Sequence, residues 1–157
     1  MSPLSPLQPR AALVTGGAKR VGRAICLALA EAGYAVAVHC NESVMEAEAL
    51  ADSIIIAGGR ASVMSADLAD PVAVEGVVAA AMAQLGPVTL LVNNASMFAK
   101  DSVTAIDVPI WNRQFSVNIR APSVLAGQMA MALPEGMDGA IINICLLYTS
   151  PSPRDRG

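Results

Sequence analysis

The residues with the most evident chemistry in this chain are Thr15-Gly-Gly-Ala-Lys-Arg-Val-Gly22. Glycines at a strand-to-helix turn let a phosphate approach backbone amides at the positive end of the helix. The pattern here is Gly16-x-x-x-Arg20-x-Gly22 rather than Gly-x-Gly-x-x-Gly, and Lys19 and Arg20 add positive charge beside it. Taken alone, it also fits a turn that serves packing only. The other reactive side chains are sparse. Cysteines at 26, 40 and 145 form no metal-ligand spacing, and an odd number does not make a disulfide framework. Cys26 and Cys40 are expected to be small core residues in a reducing compartment. His39 is the single histidine.

The elements that must position the glycine turn can be read from periodicity. Ala11–Thr15 is a short apolar run stopped by Gly16-Gly17, as a buried first strand requires. Val21, Ile25, Ala28, Leu29 and Ala32 then recur at helical spacing, with Gly33 as a left-handed cap. Tyr34 to His39 is the second expected strand. Ser43-Val-Met-Glu46 has the form of a capping box and predicts a helix to about Ala57. Arg60 to Ser65 is the third strand, and Asp70-Pro71 opens a helix predicted to run through Gln84. Val88 to Val92 is the fourth strand, a long helix covers Pro109 to Leu133, and Ala140 to Ile144 is the fifth strand. This alternation implies βαβ units and an α/β fold, a doubly wound, Rossmann-like parallel sheet.

The chain has 157 residues, 54% of them apolar and 15% charged, enough for one well-buried core. Its formal charge of −3 and scattered basic residues argue against nucleic acid as a partner. No apolar run is long enough to span a bilayer, so no membrane role is expected and the reading is cytoplasmic. Residues 1–10, with three prolines, are expected to form a disordered arm, and residues 11–144 the dinucleotide-binding domain. Residues 145–157 break the pattern. Cys145–Asp155 resembles, codon for codon, the translation of a transposase-type sequencing adaptor, so 145–157 is expected to be a non-native tail, with a genuine Ser/Pro-rich disordered tail as the alternative.

Asp67-Leu68 after the third strand, Asn93-Asn94-Ala95-Ser96 after the fourth and Val117-Asn118 in the long helix accompany the glycine turn in order. Together these segments resemble the short-chain dehydrogenase/reductase superfamily over Ala11 to Ile144, which implies that the sheet is incomplete after its fifth strand. Residues 15–23 further resemble the TG-x-A-K-R-x-G-R turn of its pteridine reductase branch.

The resemblance implies roles for particular residues. Gly16, Lys19, Arg20, Val21 and Gly22 would form the pyrophosphate turn. An NAD-dependent member would place an acidic side chain at the end of the second strand. Here the segment is His39-Cys40-Asn41-Glu42-Ser43, in which His39, Asn41 and Ser43 can donate to a 2′-phosphate. NADP(H) is therefore the expected cofactor, with Glu42 standing where relatives often carry Arg. His39 could equally pack at the strand end, and Ser43 could cap the helix as well. Asp67 would accept from the adenine amino group while Leu68 packs on the ring, and Asn94, Ala95 and Ser96 would line the ribose and nicotinamide. Asn94 also fits a turn residue that holds neighbouring strands.

Asn118 would support a proton-relay water near the catalytic lysine. Pro122 lies four residues later and lacks an N–H, which would leave the Asn118 carbonyl free for that water. Phe98 matches the aromatic that sandwiches a pterin against the nicotinamide, and fits a core anchor equally well. Trp111 and Phe115 are expected in the core or at an interface.

The family's Tyr-x-x-x-Lys, its proton donor and pKa-lowering lysine, is missing: Tyr34 precedes a strand and Tyr148 has no following lysine. The expected protein is an NADPH-dependent oxidoreductase acting on a pterin-like or small carbonyl substrate, homo-oligomeric at full length. The 157-residue chain is expected to be an inactive fragment. A noncatalytic dinucleotide-binding module is the alternative.

Overall fold

The computed structural model describes residues 10–99 and 104–145. Most of the expected N-terminal arm, nearly all of the expected tail and Tyr148 therefore lie outside the described residues. Five strands form one parallel sheet: β1 (Ala11–Val14), β2 (Ala35–Cys40), β3 (Ala61–Ser65), β4 (Val88–Asn93) and β5 (Ala140–Asn143), in the order β3-β2-β1-β4-β5. The order reverses between β1, the central strand, and its neighbour β4, and ligand crevices of such sheets open at the carboxyl ends of those strands.

Alternation along β1 divides the core. Ala11 and Leu13 face one cluster with Leu91, Val78, Leu125 and Met129, while Ala12 and Val14 face the other with Val38, Leu50, Ile54 and Cys26. Helices cover both faces, which explains why the central strands are apolar on both sides. Helix α1 (Arg20–Glu31) and α2 (Val44–Ile56) flank the second cluster. Helices α3 (Pro71–Glu75), α4 (Val77–Leu85) and α6 (Ala121–Ala132) flank the first. Helix α5 (Val108–Phe115) leads into α6.

Several expectations need correction. Helix α1 buries Gly22 and Cys26 and packs Ile25 and Leu29 against the core, whereas Val21, Ala28 and Ala32 of the expected stripe are exposed. The helix predicted from Pro71 through Gln84 is divided at Gly76, a weak helix former at its centre. The Ser43–Glu46 capping box does not form: Ser43 makes no side-chain cap, and Glu46 instead pairs with Lys19 across the helix gap. The long helix is interrupted by a π turn over Ser116–Arg120, in which the Ala121 N–H reaches back to the Ser116 carbonyl. Pro122, which cannot donate to Asn118, lies immediately beyond, and a local widening is how a helix accommodates that loss. Trp111 and Phe115 are not core residues. They stack at 5.1 Å between ring centroids and stay half exposed.

Candidate dinucleotide site

The glycine turn is built by three constraints that the local sequence supplies. Gly16 has φ +61°, which an L side chain resists. Gly22 sits so close that a Cβ there would lie 2.1 Å from the Gly16 carbonyl oxygen and 2.7 Å from Asn94 Nδ2. The third is Thr15, whose Oγ1 accepts from the backbone N–H groups of Asn94 and Ala95, each at 3.0 Å. Asn94 returns the contact, its Nδ2 donating to the carbonyls of Thr15 at 2.9 Å and Gly16 at 3.1 Å. Thr15 and Asn94 thus bind the β1 turn to the loop after β4. The sequence motif includes Thr15 but does not reveal this role; a hydroxyl at the end of a buried strand is its one signal.

Asn94 is therefore a brace between the two loops, as the turn-residue alternative requires. Neighbouring Asn93 donates through Nδ2 to Asn143 Oδ1 at 2.9 Å across the β4–β5 pair. Ala95 is half-buried against the core and Ser96 is exposed.

Of the two roles open to His39, the structure shows the packing one and not the phosphate donor. His39 is 1% exposed, its Nδ1 accepts from the Gly16 N–H at 3.2 Å, and its Nε2 therefore carries the proton and donates to the Ala66 carbonyl at 3.0 Å. Both ring nitrogens are engaged, so no N–H remains for a phosphate. Burial holds its pKa below the ordinary histidine value, although the Ala66 contact opposes this. His39 supports the glycine turn from beneath. Cys26 fills the space under the same turn, donating to the Gly17 carbonyl, and burial pushes its thiol up to about 12.

A cleft of about 300 Å³ lies between the turn and the β2–α2 loop, lined by Gly16, Ala18, Lys19, Cys40, Asn41, Glu42 and Ser43. A second, of about 340 Å³, adjoins it and is lined by Lys19, Arg20, Arg23 and Glu46 among others. Arg20 has φ +50°, strained for a residue with a side chain and the kind of local cost that clusters at ligand-binding turns. Asn41, Ser43, Lys19 and Arg20 are thus brought together around the turn, and the glycine cradle and flanking cations fit a phosphate-bearing dinucleotide.

Asp67 accepts from the Ala69 N–H at 2.9 Å and pairs with Arg113 at 2.9 Å, which holds its carboxyl below the usual range. Arg113 was not anticipated, because a helix cation gives no sequence sign of a partner on a distant loop. Leu68 is a further correction. It is 4% exposed and packs within the core, leaving no face for an adenine ring.

Asn118 turns its side chain to the loop after β4. Its Oδ1 accepts from the Met97 N–H and its Nδ2 donates to the Met97 carbonyl, both at 2.8 Å. Gln114, one turn earlier, accepts from the Ala99 N–H at 3.2 Å. The residue between these anchors, Phe98, is 86% exposed, so it is not a core anchor. Among the described residues no group of His, Cys, Asp and Glu could hold a metal, and no helix is long and apolar enough to cross a membrane.

Comparison with known proteins agrees with this geometry. The short chain dehydrogenase family model matches residues 10–151, a span that includes the first residues of the segment expected to be non-native. The chain belongs to the short chain dehydrogenase family. It is 36% identical over 146 residues to an uncharacterized oxidoreductase of Methylorubrum extorquens, covering 93% of this chain and 58% of that protein. A short chain dehydrogenase of Pseudocercospora fijiensis is 35% identical over 150 residues, covering 94% and 48%. The chain thus spans about half the length of these curated relatives. Among solved structures, FolM alternative dihydrofolate reductase 1 from Brucella suis, in complex with NADP, superimposes with a TM-score of 0.82 at 47% identity, over 86% of this chain and 56% of that one. A short chain dehydrogenase from Burkholderia cenocepacia, also with NADP, gives 0.80 at 37% identity, over 87% and 55%.

Proposed function

We propose that this chain is the dinucleotide-binding part of an NADPH-dependent oxidoreductase whose substrate is a pterin-like molecule or a small carbonyl compound. The observation that carries the cofactor assignment is the cleft in which Lys19, Asn41 and Ser43 meet the glycine turn, with Arg20 lining the adjoining cleft. Bound there, the nicotinamide supplies a hydride. The chain's own residues hold the phosphates at Gly16–Gly22, and Asp67 and the loop from Asn94 to Ser96 face the two ends of the dinucleotide.

The pterin-like class is supported by the exposed ring of Phe98, held in place by its pinned neighbours, which suits stacking on a flat heteroaromatic. The similarity to a protein described as an alternative dihydrofolate reductase points the same way. The sequence has no Tyr-x-x-x-Lys, so the 157-residue chain is proposed to bind the dinucleotide without turning a substrate over. A cytoplasmic, homo-oligomeric complete protein completes the proposal, and the exposed stripe of Val108, Trp111, Phe115 and Ile119 supports its oligomeric part.

The test is fluorescence titration with NADPH and NADH. NADPH should bind more tightly, and Arg20→Ala should shrink the difference roughly tenfold, the effect of losing one charge-assisted contact to phosphate. Equal dissociation constants for the two cofactors would reject the assignment.

A further inference from the structure

Lys19 lines both clefts, together with Ala18, and its Nζ lies 2.6 Å from Glu46 Oε1. The two side chains come from different helices, Lys19 at the N-cap of α1 and Glu46 in the first turn of α2. Glu46 is available for this contact because the capping box is not made. Both side chains are about half exposed, so the pair can open without unpacking the core.

We infer that Glu46 is a specificity-determining residue that competes with the 2′-phosphate of the dinucleotide for Lys19 and so limits the preference for NADPH over NADH. The inference rests on the proposed dinucleotide reading. Lys19, Arg20 and Arg23 face Glu42 and Glu46 across the paired clefts. A phosphate carrying about −1.5 to −2 charge must displace the Glu46 carboxylate from Lys19 or bind beside it against repulsion. A ribose 2′-hydroxyl carries no charge and meets neither cost. The negative field of Glu46 reaches the cleft wall: with Glu48 it adds to burial in raising the thiol of Cys40, which lines the first cleft. Lys19 in turn holds the Glu46 carboxyl below its ordinary value, as a close cation does.

The experiment titrates the 157-residue chain and its variants with NADPH and NADH. Glu46→Gln should tighten NADPH about two- to fivefold, leave NADH within experimental scatter, and lose part of its effect as salt is raised, as expected of an exposed ion pair. Glu48→Gln removes an equal charge on the same helix and should change the ratio less. In a Lys19→Met background Glu46→Gln should have little effect, because the competition has lost its object. An equal gain there shows a diffuse field and overturns the inference. So does an NADPH-to-NADH ratio that Glu46→Gln leaves unchanged or lowers while the parent still prefers NADPH; the dinucleotide reading then stands alone. If the parent binds neither cofactor, both fall.

Discussion

Asn118 closes both hydrogen-bonding ends of its side-chain amide on the backbone of one residue, Met97, with 2.8 Å contacts to its N–H and its carbonyl. Gln114, four residues earlier on the same helical face, holds Ala99, so the helix grips Phe98 from both sides. Asn118→Ala should raise the hydrogen-exchange rate of the Met97 amide and cost about 1 kcal/mol of stability, the net worth of such hydrogen bonds near solvent. Gln114→Ala should act at Ala99 alone. Unchanged exchange at Met97 in Asn118→Ala would contradict the clamp.

Gly22→Ala tests the close approach of α1 to the turn. An added Cβ would overlap the Gly16 carbonyl oxygen and Asn94 Nδ2, and neither is the free end of a flexible side chain. Overpacking of this kind costs about 1–3 kcal/mol, and it should also spread the turn and abolish dinucleotide binding. Gly76→Ala, where an added Cβ meets open space, should be neutral or stabilising and leave binding intact. Urea melts and cofactor titration of both variants measure the contrast.

His39 should make stability sensitive to acid in a defined window. Its folded pKa lies below the ordinary 6.5, so the folded protein binds fewer protons than the unfolded chain between those two values. The contribution is therefore present in full above 6.5 and declines as pH falls toward the folded pKa. Protonation would also turn the Nδ1 acceptor into a donor facing the Gly16 N–H, loosening the turn. The urea midpoint should fall between about pH 7.5 and pH 5.5, and His39→Asn should flatten that decline. A decline of equal size in His39→Asn would assign it to other groups.

The sheet is readable in the sequence because its inner strands β1, β2 and β4 are largely apolar on both faces and most strands are bounded by glycine, proline or polar residues. Ala11–Val14, Ala61–Ser65 and Val88–Asn93 lie within a residue of the expected limits. What escaped the sequence reading were partnerships between distant segments. Ser43 and Glu46 have the spacing of a capping box, yet Lys19 offers Glu46 a full opposite charge and local pattern loses to that tertiary contact. His39 sits at a strand end, where ligand and core roles look alike until Gly16 and Ala66 are seen on either side of its ring. Leu68 is apolar in both readings, and only the position of the β3–α3 loop decides that it faces inward.

The long helix is docked through polar side chains along its length. Arg113 pairs with Asp67, Arg120 donates to the Ala69 carbonyl and Gln128 donates to the Glu75 carbonyl, so three side chains on one helical run hold the segment that follows β3. The same run carries Gln114 and Asn118, which hold the loop after β4. Of these contacts the ion pair alone depends on a carboxylate that acid can neutralise. Its carboxylate is also fixed by the Ala69 N–H, which restricts Asp67 to the orientation Arg113 meets. A double-mutant cycle with Asp67→Asn and Arg113→Gln should give a coupling of about 0.2–1 kcal/mol at neutral pH, since the pair is partly exposed. Asp67 has a lowered folded pKa, so its contribution is complete above the unfolded carboxyl value and is lost as pH falls through the folded one. The coupling should therefore vanish in acid below that lowered value and shrink in high salt. A coupling that persists when Asp67 is protonated would mean that the two side chains are held by packing rather than by charge.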